Sequence, residues 1–537
     1  MKRYFTQFLT LLLLHGLLLS GVANAQQADI SARIHEEGTK NSKVLSTVQI
    51  LTDVYGPRLT GSPQLKASGE WAAKQMVEWG LENPTQDPWN FGFPGWSNDR
   101  ATGHILSPVK DNLVFEVLAW SPSTNGAVRG KAVSMVLPDR PTQAELDTYL
   151  SGIRSRISGN IVFYGKPAEP GVDMDPPAKR ASSDMIKQRV NPYPDPNARP
   201  QGFPGRPGGM PQVQPKPDAL PPGAVAEQVN KFLMDNGAVV RVNDAGFAHS
   251  RIRAFSFGRG DYDVNKTVPT VVMRNEDFGR IVRLTQGGHD VELEFDIRNN
   301  THPEGATQYN TTAEIVGTDK KDEVIIIGGH LDSWHSATGA TDNATGVAVM
   351  MEAARIIKAL GLKPRRTIRV ALWTGEEQGL LGSQAYVAKH FGSAENPKPA
   401  WSKFGGYFNH DTGTGRIRAM TVFGPPETAN ILRGITGQFS FWGMEGVSAT
   451  ASRNIGGSDH TSFNNAGLPG VGTTLDPIEY GSHTWHTNFD TFERVIEADL
   501  QQGAIVIATT VYELAMRDEL LPRFAPDKMP KPPAPRN

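Results

Sequence analysis

The chain reads as an α/β protein organised on a parallel-type sheet, and three stretches carry that expectation. Val324–Ile327 is a short β-branched run of the kind found in strands buried on both faces. A polar loop and an apolar helix, Val347–Leu360, follow it. Thr367–Trp373 (TIRVALW) then leads to a helix over Leu381–His390, and Phe404–Asn409 supplies a further strand. Strand and helix alternating in this way mark the α/β class. His330 falls just past the end of the first strand, where open α/β sheets place their ligands.

With 537 residues the chain can hold two or more domains with substantial cores. The formal net charge is −2, so nothing points to nucleic acid or an anionic membrane surface. There is no cysteine. Disulfides, thiolate zinc sites and cysteine nucleophiles are therefore excluded, and any metal must be held by His, Asp and Glu.

Residues 1–25 have the form of a secretory signal: Lys2 and Arg3, an apolar core from about Phe8 to Leu19, then Ala23-Asn24-Ala25. Removal after Ala25 would leave a secreted or periplasmic protein with no stable membrane insertion. The alternative is an uncleaved anchor, for which the apolar run is short.

Residues 26–125 form the N-terminal part of the α/β domain in this reading. Ile34, Val44, Val48, Leu51 and Val54 recur at roughly helical spacing until Gly56-Pro57 stops the element. Gly61-Ser62-Pro63 then turns the chain into a helix over Gln64–Trp79. Trp89, Phe91, Phe93 and Trp96 suggest a packing cluster or pocket wall. Strand-like pieces at Thr102–Leu106 and Leu113–Leu118 complete this part.

From Gly126 the texture changes. Val128–Leu137, Gly159–Tyr164, Val239–Val242 and Val268–Met273 are short β-rich runs, with helices at about Thr142–Gly152 and Ala224–Asn236. Residues 126–275 read as a small β-rich insertion. Its middle, 166–222, holds 15 of the 39 prolines and little apolar periodicity, and is expected to be an exposed, partly disordered loop. Residues 276–520 then carry most of the α/β domain, and 521–537 form a Pro-rich tail.

The candidate chemistry lies at strand ends. His330, Glu376, Glu377 and Asp411 each follow a predicted strand, Asp342 lies in the loop beyond His330, and His486 comes from a later loop. In a parallel-type sheet such ends converge on one rim. The repulsion among so many carboxylates would be costly without cations, and two divalent ions bridged by one carboxylate would relieve it.

The motifs HLDSW, ATDNATG, TGEEQGLLGS, NHD, SDHTSF and WHTNFDT, in that order, resemble the M28 family of dizinc exopeptidases. The resemblance covers about Leu51–Asn83 and Thr311–Thr491. It implies a three-layer αβα fold with a central mixed, mostly parallel sheet, and the insertion resembles a protease-associated domain. It further implies two zinc ions per chain, a peptide substrate and a bridging role for Asp342. His330 and Asp411 would complete one ion, and Glu377 and His486 the other. Glu376 would be the general base, taking a proton from the attacking water and passing it to the leaving amine.

Asp332 is placed to accept the other imidazole N–H of His330. Asp459 is expected in the supporting layer with His460, and Asp490 is expected to orient the His486 loop. His410 reads as a structural neighbour of Asp411, and His335 and His483 as surface or pocket residues. Some family members carry a tyrosine just before the last histidine ligand; here that residue is Trp485. The oxyanion donor is therefore open between Trp485, Tyr480 and the metal. Arg453 would suit a substrate carboxylate.

Aminopeptidase is the favoured specificity, as the commoner one among relatives. A carboxypeptidase or dipeptidase of the glutamate-carboxypeptidase type is the alternative, with a glutaminyl-cyclase-like acyltransferase behind it. A binding protein on the same fold is disfavoured because the ligand set and the base are complete.

Overall fold

The computed structural model describes residues 29–171, 180–190, 216–255, 262–454 and 456–532. The signal segment expected at 1–25, much of the Pro-rich loop and the end of the tail lie outside them.

One sheet has eight strands in the order Glu82–Asn90, Thr307–Ile315, Arg366–Trp373, Lys320–His330, Phe404–Asn409, Gly470–Leu475, Ile417–Phe423 and Gly446–Thr450. The four central strands are parallel. Antiparallel neighbours flank them, and the last pair is again parallel. The sheet is thus mixed, with a parallel centre.

The period-two alternation of a strand explains the β-branched run at its middle. Ile325 and Ile327 point to one face, where the helices Thr345–Ala359 and Glu497–Met516 pack. Val324 and Ile326 point to the other, toward the helix Leu381–His390 and Phe463 of the helix His460–Asn465. Both faces are covered, so every position of the run is apolar. All four parallel strands deliver their C-terminal ends to the same rim.

A second eight-stranded sheet runs Asp111–Asn112, Gly95–Ser107, Glu292–His302, Val128–Met135, Ile161–Tyr164, Val240–Asp244, Thr270–Met273 and Phe115–Val117. Four of its strands, Gly95–Ser107, Asp111–Asn112, Phe115–Val117 and Glu292–His302, lie outside the 126–275 segment delimited from the sequence. The helix Asn275–Gln286, not expected from the sequence, packs Phe278 and Ile281 against Phe163 and Phe295 of this sheet. Composition drew the boundary too tightly. The alternating burial of Leu293, Phe295 and Ile297 is what ties the later strand to this core.

The Pro-rich segment also differs from its expectation. Ser183–Arg189 is a helix, with Ser182 as its N-cap accepting the Met185 N–H. Ala181, Ile186 and Val190 pack on Ala419 of the first sheet. Arg180 donates to both carboxylate oxygens of Asp499, at 2.6 and 2.9 Å, and to Asp476 at 3.0 Å. Residues 180–190 are therefore docked on the first sheet rather than exposed in solvent. The cause is a set of buried acids distant in sequence, which local composition cannot report.

The aromatic stretch after the helix Pro63–Glu78 is a packing cluster, as expected. Trp89 donates to Thr374 Oγ1, Trp96 to the Ser121 carbonyl, and Phe91 packs against Trp120 and Tyr262. No described helix is long and apolar enough to cross a membrane.

Candidate metal centre

The rim of the first sheet gathers the predicted residues. His330 is the last residue of its strand. Glu376 and Glu377 follow the strand ending at Trp373, and Asp411 lies two residues past the strand ending at Asn409. Asp342 arrives from the loop between His330 and the helix Thr345–Ala359, with non-helical backbone at φ −131° and ψ 82°. His486 comes from the loop after Leu475 and has φ 59°, a left-handed conformation costly for a residue with a Cβ. Thr412, next to Asp411, is likewise at φ 94°. Strained backbone at one of these positions and beside another suits a site imposed by tertiary structure.

Two groups of three potential ligand atoms result, each within 4.8 Å: His330, Asp342 and Asp411, and Asp342, Glu377 and His486. Asp342 is common to both. Its Oδ1 lies 3.2 Å from His330 Nε2, and its Oδ2 lies 3.2 Å from His486 Nε2. Asp411 Oδ1 is 3.6 Å from His330 Nε2, and Glu377 Oε2 is 2.9 Å from His486 Nε2. All five residues are buried, none more than 8 % exposed.

A metal pair fits this donor set. Asp342 Oδ2 and Glu377 Oε1 are buried and find no hydrogen-bond donor. Buried carboxylate oxygens without donors are costly unless a cation completes them. Burial raises the Glu376 carboxyl well above its ordinary range, and Asp411, Asp459 and Glu377 add to the rise. Against burial, Glu376 and Asp411 hold His330 well above the usual imidazole value. The cluster without cations is thus short of positive charge.

The support beneath it is hydrogen-bonded backbone. Asp332 departs from the role expected of its side chain. His330 Nδ1 donates to the Asp332 carbonyl at 2.9 Å, while the carboxylate is 3.8 Å from that nitrogen. That carboxylate instead accepts the backbone N–H groups of Glu376 and Glu377, at 3.3 and 3.1 Å, and the Thr60 hydroxyl at 3.2 Å. One acid therefore ties the loop after His330 to the Glu pair. Asp490 accepts the N–H groups of Thr341 and Asp342 from the other side.

Gly346 lets the helix start close to the rim. A Cβ there would lie 2.2 Å from the His410 carbonyl and from Asn343 Oδ1. The same His410 carbonyl accepts Asn343 Nδ2 at 2.9 Å, a structural use consistent with its reading from the sequence. Burial lowers the imidazoles of His410 and His460 to about 4. Asp459 is fully buried, which lifts its carboxyl to about 7, but neither it nor His460 joins either ligand group.

Tyr480 is held among the rim acids: burial and the charges of Asp342, Asp411 and Glu377 push its phenol well up. The Trp485 ring lies against His486 at a 32° tilt, with ring centroids 4.2 Å apart. Arg453 is turned elsewhere, donating to Glu395 at 2.7 Å and toward the Asn465 carbonyl at the far end of the helix His460–Asn465. His483 pairs through Nδ1 with Ser482, and His335 meets the Val117 carbonyl of the second sheet at 2.6 Å.

Several participants were passed over in the sequence. Arg58 is fully buried and donates to the carbonyls of Leu51, Gly56, Leu331, Thr338 and Gly339, at 2.7 to 3.1 Å. It shapes the loop that carries His330 and Asp342. Trp334 and Phe255 wall the centre, with rings 6.2 and 4.9 Å from His486. Arg58 stands just after the helix-stopping Gly56-Pro57, and a charged residue in so apolar a neighbourhood was the available signal. Phe255 carried none, since it belongs to the insertion.

Comparison with known proteins agrees with this geometry. Residues 310–511 match the model of peptidase family M28. Carboxypeptidase Q of Xenopus laevis is 26 % identical over 511 residues, covering 94 % of this chain and 92 % of that protein. Carboxypeptidase Q of Mus musculus is 25 % identical, covering 90 % and 88 %. Among solved structures, a peptidase M28 precursor from Shewanella amazonensis superposes with a TM-score of 0.63 at 22 % identity, covering 93 % of this chain and 99 % of that one. A zinc aminopeptidase from Bacillus subtilis superposes with a TM-score of 0.53 at 19 % identity, covering 89 % and 95 %.

Proposed function

Because the chain belongs to peptidase family M28, a family of metallo-exopeptidases, we propose that it hydrolyses short peptides from one end with two zinc ions held at the rim. The observation that carries this reading is Asp342, which turns one carboxylate oxygen toward His330 and the other toward His486. A carboxylate shared in this way is what a bridged pair of ions requires. His330 and Asp411 would hold one ion, and Glu377 and His486 the other.

When bound, the ions would supply Lewis-acid polarisation of the scissile carbonyl and a more acidic attacking water. Glu376 takes the proton from that water through its carboxylate and delivers it to the departing amide nitrogen. Unlike Glu377, it is partly exposed, so it can face both water and substrate. Its backbone N–H is pinned to Asp332, which fixes which carboxylate of the pair faces the ligands and which faces outward. Tyr480, buried and under the charges of the same acids, is the candidate to donate its hydroxyl to the developing oxyanion.

The end preference has two readings. Aminopeptidase is the commoner specificity among the proteins that the sequence motifs resemble. Carboxypeptidase or dipeptidase is favoured by the relatives named carboxypeptidase Q, whose match spans nearly the full length of this chain, including the second sheet. A secretory signal, read from the sequence of residues 1–25, would place the protein outside the cytoplasm in either case. A panel of free, N-blocked and C-blocked dipeptides, assayed with and without chelator, tests hydrolysis, end preference and metal need together. A metal content near one zinc per chain would instead favour the cyclase-type reading.

A further inference from the structure

Arg180 pins together the two ends of the stretch that carries Tyr480, His486 and Asp490. That stretch begins at Asp476, directly after the strand Gly470–Leu475, and runs to Asp499 in the first turn of the helix Glu497–Met516. Both acids are buried, Asp476 completely. One guanidinium reaches both. Its Nη1 donates to Asp476 Oδ2 at 3.0 Å and to Asp499 Oδ2 at 2.6 Å, and its Nη2 donates to Asp499 Oδ1 at 2.9 Å. The Ala181 N–H adds a bond to Asp476 Oδ1 at 2.9 Å. A residue of the Pro-rich segment thus closes the base of a rim loop.

The same clasp reaches the Asp411 loop. Arg416, just beyond that loop, donates its backbone N–H to Asp499 Oδ2 and its side-chain Nε to Asp476 Oδ2, both at 3.1 Å. Tyr480 lies against this loop at Gly413, where an added Cβ would come within 3.1 Å of the Tyr480 Cβ. The Tyr480 N–H donates to the Pro477 carbonyl at 2.7 Å, so one tight turn separates Tyr480 from the clasped acid.

The two halves of the stretch are held differently. Around His486, Thr484 accepts the Thr341 hydroxyl at 2.8 Å, Asn488 exchanges two hydrogen bonds with the backbone of Ile252, and Asp490 accepts the N–H groups of Thr341 and Asp342. The Tyr480 half is rooted instead at Asp476.

We propose that Arg180 is a positioning residue for hydrolysis: by clasping Asp476 to Asp499 it sets the pose of Tyr480, and so the donor offered to the oxyanion, without touching the metal ligands. The proposal rests on the exopeptidase reading above and on Tyr480 as its oxyanion donor. A guanidinium suits the task because its planar fork pairs with two carboxylates at once, which a lysine ammonium does less well. The Pro-rich segment is thereby assigned a part in turnover.

The test is a double-mutant cycle on kcat with Arg180→Ala and Tyr480→Phe, measured on one dipeptide at saturating zinc. Arg180→Ala should lower kcat about 10-fold, with KM changed less than about 2-fold and zinc content constant. Tyr480→Phe should lower kcat about 100-fold, and adding Arg180→Ala to it should cost less than about 2-fold more. Arg180→Lys should keep most of the loss of the alanine variant, and takes its place in the cycle if that variant does not fold. Fully additive losses, an unchanged kcat in Arg180→Ala, or wild-type turnover in Tyr480→Phe would each overturn the proposal while leaving a working exopeptidase. If wild type hydrolyses no peptide, the exopeptidase reading fails, and hydrogen exchange over residues 477–484 decides: faster exchange in Arg180→Ala supports the clasp, and equal exchange refutes it.

Discussion

The carboxylate of Asp490 lies directly behind the backbone of Asp342, accepting its N–H at 3.0 Å and that of Thr341 at 2.6 Å. Asp490 thereby orients the residue at the middle of the ligand set without belonging to that set. Removing such a support commonly costs about 10- to 100-fold in metal affinity. Asp490→Ala is expected to weaken zinc retention by that order, read by competition with a chromophoric chelator. Retention equal to wild type would show that Asp342 holds its pose unaided.

Glu376→Gln should separate proton transfer from metal binding. The amide keeps the size of the side chain and the backbone tie to Asp332 but cannot take a proton. The expected result is a fall in kcat of at least about 100-fold, with zinc content unchanged by elemental analysis. Turnover near the wild-type level would remove Glu376 from the mechanism.

Arg58 bonds five carbonyls from two segments nearly 300 positions apart in the chain. Burial lowers its pKa to about 10, opposed by Asp490, Asp332 and Asp342, so it stays cationic. Arg58→Met would leave those carbonyls without donors in a dry site, at a cost of about 3–5 kcal/mol. Urea denaturation should reveal the loss as a lower midpoint. A midpoint within experimental error of wild type would contradict it.

His335 links the His330 loop to the second sheet and supplies a pH dependence. Burial depresses its pKa from the usual 6.5 to about 4, opposed by its bond to the Val117 carbonyl. An unfolded chain therefore takes up a proton between pH 6.5 and 4 that the fold refuses. The stabilisation is complete above about pH 6.5 and is lost as pH falls toward 4, on the order of 2–3 kcal/mol. His410 and His460 add to the same acid loss. In His335→Gln the gap between urea midpoints at pH 7 and pH 4.5 should narrow; an unchanged gap would acquit this residue.

Arg180 anchors the ordered part of the Pro-rich segment. Arg180→Ala leaves Asp476 with Arg416 and Arg418 but removes the donors to Asp499 from this segment. Residues 180–190 should then lose protection in hydrogen exchange and become more open to limited proteolysis, while zinc content stays constant. Unchanged protection would mean that the apolar contacts with Ala419 hold the segment by themselves.

The α/β class, the strand and helix order around the first sheet and the acids and imidazoles that gather at its rim were legible in the sequence, for a local reason. A strand covered on both faces must be apolar at every position, as Val324–Ile327 is, and a dense set of His, Asp and Glu after such strands has few other uses. What tertiary structure alone decided is how separate stretches meet. The carboxylate of Asp332 turned from His330 to the Glu pair, residues 180–190 docked on the first sheet, and Arg253 came to lie beside Trp485. Each outcome depends on a partner between 44 and 319 positions away in the chain. Hydrogen bonds and ion pairs across such separations leave no periodicity in the chain, because what selects them is the burial of a charge against a particular neighbour once the two sheets are packed.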